Sequence, residues 1–560
     1  MRPRLPDPEE YGLARHSSRE SVGSFELDDA GFELYGVTSE AYRPTSTSLV
    51  GQIISALPFI GRRYRALHHR HSCYNDSNYN SYYHYYFYYY PWQRAPRGFR
   101  RKQSCRYRNP FRLLWHFVGY TSISVLTLVL ITALFFPSYT RPPPHYRALS
   151  RAISSSHDLG RGNPRNEKVF IASSIYDKDG SLAGGKWAEN ILELVGLLGP
   201  SNVYLSIYEN DTGDRSATAL KSLEAKAPCN KSLVYEPHLD LRDIQNITLP
   251  DGSSRVKRIA YLAEVRNRAL RPLDEIRDVR FDKLLYLNDI YFNPADAVQL
   301  LFSTNVDPHG VAQYRAACAV DFINLFKFYD TFAGRDLEGY GMGLPLYPWF
   351  STAGTGQSRR DVQNQRDAVR VRSCWGGMVA FDARFFQHWP PSPSSHSASR
   401  PRERPVRFRA ETDLFWDASE CCLIHADIQI PPCESQVEPA TTGIYMNPFI
   451  RVAYDPSTLS WLGLTRRVER LFSIPQNIIN HMVNLPKYNP RRTEKAGQYV
   501  QDDVWVPDGS GGGSYESVVR KADTGGFCGR RGVQVMVSDP APGQKYWEKI
   551  PIPTPPEEFN

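Results

Sequence analysis

The sequence predicts an α/β protein, a doubly wound and mostly parallel sheet, carried on a single N-terminal transmembrane helix. Two observations lead there. Short apolar runs of strand type alternate with segments of helical periodicity from residue 168 onward, as parallel strands and their crossover helices do. Ahead of them lies residues 113–136, LLWHFVGYTSISVLTLVLITALFF, without one Asp, Glu, Lys or Arg. At roughly 1.5 Å per residue this stretch crosses a hydrocarbon core of about 30 Å.

Taken in order, residues 1–112 form a cytoplasmic, disordered basic tail with a tyrosine-dominated run at 74–90 and no sustained periodicity. Arg94, Arg97, Arg100, Arg101, Lys102, Arg106, Arg108 and Arg112 precede the apolar stretch, whereas Arg141, Arg147 and Arg151 follow it more sparsely. The positive-inside bias therefore keeps the tail in the cytosol and sends the body across the membrane as a type II signal anchor. Residues 137–165, with three prolines at 142–144, read as a stem. Strands follow at 168–174, 202–208, 232–235 and 282–287, with helices at 186–198, 215–226 and 255–270 between them. Neither GxGxxG nor GxxxxGK[ST] follows any of these strands, which disfavours a Rossmann cofactor or a P-loop nucleotide. Residues 351–367 and 388–407 are polar and read as loops, a helix is expected at 462–472, and 509–514 reads as a Gly/Ser linker. The body spans 166–455, and 456–560 is a C-terminal extension.

The net charge of +8 is concentrated beside the anchor, where it orients the chain and meets lipid; no nucleic-acid motif accompanies it. Seven of the nine cysteines (Cys229, Cys318, Cys374, Cys421, Cys422, Cys433 and Cys528) follow the anchor, where disulfides persist. Seven is odd, so at least one is free or pairs between chains, and connectivity stays open. Sequons at Asn210, Asn230 and Asn246 also follow the anchor.

The sharpest local feature is Tyr286-Leu287-Asn288-Asp289-Ile290, an apolar strand ending in Asn-Asp. A carboxylate there projects into the ligand crevice of a parallel sheet and suits a hard cation against a diphosphate. An Asx turn bonded to its own backbone is the plainer alternative. Arg258, Arg266 and Arg268 share a helix with Asn267; arginine matches phosphate oxygens, although a solvated basic face uses the same residues. Cys374-Trp375-Gly376-Gly377 pairs a tight turn with an indole able to stack on a sugar, or to fill a core. Glu411, Asp413, Asp417 and Glu420 cluster ahead of Cys421-Cys422 and His425, offering a base, acceptor contacts or a further metal ligand.

Eight blocks in one order carry a family resemblance. KVFIASSIYDKDG, NVYLSIYENDTGD, RIAYLAEVRNRALRPL, LLYLNDIYFNPADAVQLL, AACAVDFINLFKFYDTFAGRD, VRSCWGGMVAFDARFF, FRAETDLFWDASECCLIHADI and GGFCG resemble the fungal α-1,3-mannosyltransferase and capsule-associated proteins, glycosyltransferase family 69. The resemblance implies a Golgi membrane protein with a glycosyltransferase-A-like fold that moves mannose from GDP-mannose, with retention, to a mannose-containing glycan acceptor. It implies Mn²⁺ or Mg²⁺ as cofactor, held by Asp289, with Asn288 beside it. Tyr261, Arg266 and Asn267 would then contact the nucleotide, and Trp375, Gly376 and Gly377 the acceptor. Glu420 and Asp413 would supply the catalytic carboxylates. The motif Asn288-Asp289 offers one carboxylate where a full Asp-x-Asp offers two, so the number of protein ligands stays open. A reading from another class is a non-catalytic, membrane-anchored factor for polysaccharide assembly or export.

Overall fold

The computed structural model describes residues 110–210, 212–236, 239–388, 404–429, 442–508, 512–538 and 545–553. The basic tail up to residue 109, most of the 388–407 insertion and Cys433 lie outside them. Two compact units divide the chain, Tyr35–Ser122 and Met1–Leu34 with Ile123–Asn560. Of the first, residues 110–122 are described and are helical.

Helix α1 (Pro110–Phe135) realises the apolar stretch, and its 115–135 portion is long and apolar enough to cross a membrane. Its Ile123, Val125, Leu126, Leu128, Leu130 and Leu134 are all exposed, so its apolar residues are not taken up by packing against the body.

The expected stem departs from an extended linker. Residues 144–155 form α2 (Pro144–Ser155), started by Pro144, which sits where a missing amide costs nothing. Tyr139 and Tyr146 are buried and tie the segment down. The Tyr139 hydroxyl donates to the Val362 carbonyl at 3.1 Å, and the Asn447 amide donates to the Tyr146 hydroxyl at 2.7 Å. Two aromatic anchors in a short proline-rich segment dock it on the body.

The body then alternates as expected: β1 (Val169–Ile175), α3 (Lys186–Leu198), β2 (Val203–Asn210), α4 (Asp214–Lys226), β3 (Asn230–Glu236), a small hairpin of β4 (Asn246–Thr248) and β5 (Ser254–Val256), α5 (Arg258–Leu270), β6 (Lys283–Leu287), α6 (Pro294–Ser303) and β7 (Ala316–Phe322). Next come β8 (Arg335–Asp336), α7 (Gln357–Gln363) inside the expected 351–367 loop, β9 (Val369–Ser373) and β10 (Met378–Asp382). The body closes with β11 (Trp416–Ala418), α8 (Glu420–Ile428) and β12 (Ile444–Ala453).

Nine strands form one sheet in the order β3-β2-β1-β6-β10-β7-β12-β9-β8. Pairs β1–β2, β2–β3, β1–β6 and β7–β12 are parallel, while β10 lies antiparallel between β6 and β7, and β9 antiparallel to β12. The sheet is thus parallel-rich but mixed. A short apolar run buries the same side chains in either direction, so its sequence carries no sign of orientation. Strands β6 and β7 are buried along their whole length, which is why KLLYL and AACAVDF read as continuous apolar runs.

Beyond the sheet come α9 (Pro456–Thr465), a 3-10 turn Glu469–Phe472, α10 (Ser473–Met482), and a hairpin of β13 (Tyr499–Pro507) and β14 (Gly513–Lys521). Of the expected Gly/Ser linker at 509–514, residues 509–511 lie outside the described residues, and Gly513 opens β14. Last are β15 (Gly529–Arg531), β16 (Gln534–Met536) and β17 (Trp547–Lys549). Strand β15 pairs with β11, and a disulfide joins Cys422 to Cys528, so the Gly525–Gly529 block returns to the body. A second disulfide joins Cys318 of β7 to Cys374. Cys229 and Cys421 are buried and take part in neither disulfide.

Candidate active site

Strand order turns back between β1 and β6, the place where a doubly wound sheet opens its ligand crevice at the strands' C-terminal ends. Asp177 follows β1 there and Asp289 follows β6. Asp177 is buried, and its carboxylate accepts from the Leu182 and Ala183 amides at 3.1 and 2.8 Å, fixing the loop that leads into α3. Asp289 is half-buried, and among the described residues no side chain hydrogen bonds to its carboxylate. Burial raises its carboxyl above the ordinary range; its own backbone amide and Arg266 oppose that, and neighbouring Asp177 adds to it. Burial likewise raises Asp177, against the amides it accepts from.

Asn288 is held on three sides. Its amide donates to the Gly377 carbonyl at 2.9 Å, and its carbonyl accepts from the Trp187 indole at 3.1 Å. Its side-chain oxygen accepts from Arg266 at 3.0 Å. The Arg266 guanidinium also donates to Glu420 at 2.9 Å, and both partners are buried. Its flat face lies 4.8 Å from the Trp375 ring centre, with Tyr286 and Phe408 at 5.6 and 5.9 Å. Arg266, Asn288, Glu420 and Trp375, drawn from four separate segments, therefore meet beneath Asp289. Charge pairing, a planar fork and aromatic faces are what a buried arginine requires.

This assembly corrects several sequence expectations. Trp375 is 1% exposed and its face carries the guanidinium, so it is not open to stack on a sugar. Glu420 is 3% exposed and bonded to Arg266, which makes it a supporting anion, not a carboxylate facing a substrate. Tyr261 is buried in a cluster with Val256, Met536 and Trp547, and its hydroxyl accepts from the Asn210 amide at 2.5 Å. Asn267 spends its side chain on the Phe408 backbone at 2.8 and 2.9 Å. Asp413 pairs with Arg491 at 2.7 Å, and Asp417 with the buried Lys257 at 3.2 Å. His425 lies in the core against Phe381, 3.8 Å from Cys318 Sγ, and burial lowers its pKa to about 4. The disulfide occupies the sulfurs of that Cys318, Cys374 and His425 cluster, which leaves no thiolate for a metal.

Gly376 and Gly377 keep their expected place beside the strand end. Both have φ of +64°, and an added Cβ would sit 2.0 Å from the Ala319 carbonyl oxygen at Gly376 or 2.7 Å from Ile290 at Gly377. The Gly376 amide donates to the Asp330 carboxylate at 2.9 Å. Asp330 in turn hydrogen bonds to Asp321 at the end of β7, whose carboxyl is raised by burial and which also accepts from the Tyr454 hydroxyl at 3.1 Å.

Sequence reasoning passed over Asp177, Glu209, Asp321 and Asp330. For Asp177 the signal was present: YDKDG after the first strand has the same form as Asn-Asp after the fourth. Glu209 lies in β2, buried, with its carboxylate accepting from the Ser216 hydroxyl.

The residues fit a divalent cation in one specific way. Asp289 presents a hard oxygen donor with no side-chain partner, while Asn288 Oδ1 is committed to Arg266. A magnesium-like ion keeps waters and phosphate oxygens beside one or two carboxylates, so a single protein donor suffices when a diphosphate supplies the rest.

No curated protein matches the sequence. Among solved structures, the mannosyltransferase PcManGT from Pyrobaculum calidifontis, in complex with GDP-Man and Mn²⁺, is similar over 64% of this chain and 74% of its own, at 12% identity and a TM-score of 0.29. Mannosyl-3-phosphoglycerate synthase from Rubrobacter xylanophilus is similar over 69% and 93%, at 11% identity and a TM-score of 0.26. Residues 168–427, from the first strand of the sheet through α8, match the family model described as Cryptococcal mannosyltransferase 1. Over those residues the α/β body is similar to that mannosyltransferase family.

Proposed function

We propose that the protein transfers mannose from GDP-mannose to a hydroxyl of a mannose-containing glycan, forming an α-1,3 linkage with retention, on the lumenal side of the Golgi membrane. The observation that carries the reading is Asp289, an unpartnered carboxylate at the crevice where strand order turns back, inside a body similar to a mannosyltransferase family. Mn²⁺ or Mg²⁺ held there would offset charge developing on the departing diphosphate. The protein's own part is positional. Arg266, neutralised by Glu420, grips Asn288 and thereby fixes the backbone on which Asp289 stands. The Gly376-Gly377 turn, which no side chain could occupy, packs against Ala319 and Ile290 and holds the Asn288 amide through the Gly377 carbonyl. Asp177 on the adjacent strand end adds to the rise of the Asp289 carboxyl, a charge that a cation held by Asp289 would offset.

The test is a donor screen on the purified full chain with GDP-mannose, UDP-glucose and UDP-xylose, with and without Mn²⁺. GDP-mannose should turn over fastest, and only with metal. Turnover of a UDP-sugar in its place ends the mannosyl reading; no turnover of any donor supports the non-catalytic assembly factor.

A further inference from the structure

Helix α10 is turned inside out. Its Gln476 and Asn480 are buried: the Gln476 side-chain oxygen accepts from Arg359, and the Asn480 side-chain oxygen accepts from the Leu344 amide at 2.6 Å. Three of its apolar residues face outward instead. Ile474, Ile478 and Met482, one helical turn apart, are 69, 53 and 76% exposed. On α9, Trp461 and Leu464 are 54 and 55% exposed. A soluble surface has no use for five such side chains in two neighbouring helices.

Both helices adjoin the exit of α1. The Ser138 amide, three residues past the end of α1, donates to the Arg466 carbonyl at 2.9 Å, and Arg466 Nη1 donates to the Tyr139 carbonyl at 3.0 Å. Gln365 accepts from the Tyr139 amide, and two residues earlier Gln363 donates to the Ser473 hydroxyl at the start of α10 at 3.3 Å. Charge agrees. The only acid in residues 456–492 is Glu469, buried and bonded to Arg451 at 2.7 Å, whereas Arg467 and Lys487 are exposed. Aromatic residues at an apolar edge, with cations and no exposed acid, suit a headgroup layer.

We propose that α9 and α10 lie in the interface of the bilayer that α1 crosses, with Trp461, Leu464, Ile474, Ile478 and Met482 against lipid. The inference rests on reading α1 as a membrane anchor. It means that the body sits on the membrane by a second contact, fixed in orientation, instead of swinging on a tether.

The experiment uses the full chain in phosphatidylcholine–phosphatidylserine vesicles, with a fluorescent non-natural residue at position 478, at 482, or at exposed Ser517 as control. Lipid spin-labelled near the headgroup should quench positions 478 and 482 at least about twofold more than position 517, and aqueous iodide should show the reverse order. The proposal is overturned if iodide quenches all three positions alike while the chain stays in the vesicles after alkaline extraction. It is also overturned if positions 478 of two copies crosslink without lipid quenching, since a second copy then covers the face. Loss of the chain on alkaline extraction removes the anchor reading itself, and the proposal with it.

Discussion

Asp289 and Arg266 divide the work of the candidate site at the scale of single residues. Asp289 is positioned to meet a ligand, so Asp289→Asn, which keeps size and removes charge, should lower kcat roughly a thousandfold, at 1.36 kcal/mol per decade. Thermal unfolding should shift little, because no side chain depends on the carboxylate. A kcat within a few-fold of the parent at saturating Mn²⁺ would reduce Asn288-Asp289 to a strand-end turn. Arg266 is the reverse case: Glu420 is its buried counter-ion, so Glu420→Gln leaves a buried guanidinium short of charge and should cost about 3 kcal/mol of stability. Unchanged thermal stability with lost activity would return Glu420 to a catalytic role. The strand-end Asn-Asp was legible because β6 reads as an apolar run with an abrupt polar end. The burial of Arg266 was not. Helix α5 carries Arg258, Arg266 and Arg268, and the aromatic faces that select Arg266 come from Tyr286, Trp375 and Phe408 elsewhere in the chain.

Among elements, β8 at the sheet edge holds a carboxyl whose titration falls near neutral pH. Asp336 is buried and accepts from the Glu338 and Tyr340 amides at 2.9 and 2.8 Å; burial raises its pKa to about 7, against those bonds. Because the folded value lies above the unfolded one of 3.8, its stabilising contribution is complete below about pH 4 and is lost as pH rises to about 7. Asp336→Asn keeps the acceptor oxygen and removes the titration. The variant should therefore lose less thermal stability than the parent between pH 4 and 7; parallel melting profiles would contradict the assignment. Helices α3, α4 and α5 and strands β1, β2, β3 and β6 were legible because each buries one periodic face or one continuous run. Hairpin β13–β14 was not, since a Gly/Ser-rich stretch reads equally as a linker, and α10 hid its logic because its buried face is the polar one.

The molecule as a whole is closed by its own C-terminal part. Arg335 donates to the Phe527 carbonyl at 2.8 Å and to that of Cys528, and the Cys422–Cys528 disulfide spans 106 residues. A loop of that length gives a crosslink worth about 2–5 kcal/mol. Cys528→Ser should lower the melting temperature of the purified chain, and the parent under reducing conditions should fall to the same value. No change in either would make the crosslink incidental. The GGFCG block was visible in the sequence, but the partner of its cysteine was not, because cysteine spacing does not encode connectivity.

The position of Cys528 also sets an order of events during synthesis. At 5–20 residues per second, Cys422 emerges about 5–20 s before its partner. Through that interval the sheet can already be paired while Cys422 remains an unpaired thiol beside Cys421, open to oxidation with the wrong neighbour. Correct pairing of Cys422 has to wait for Cys528, so an oxidoreductase that holds early thiols in reserve should raise the yield of the disulfide-bonded chain more than one that merely speeds oxidation.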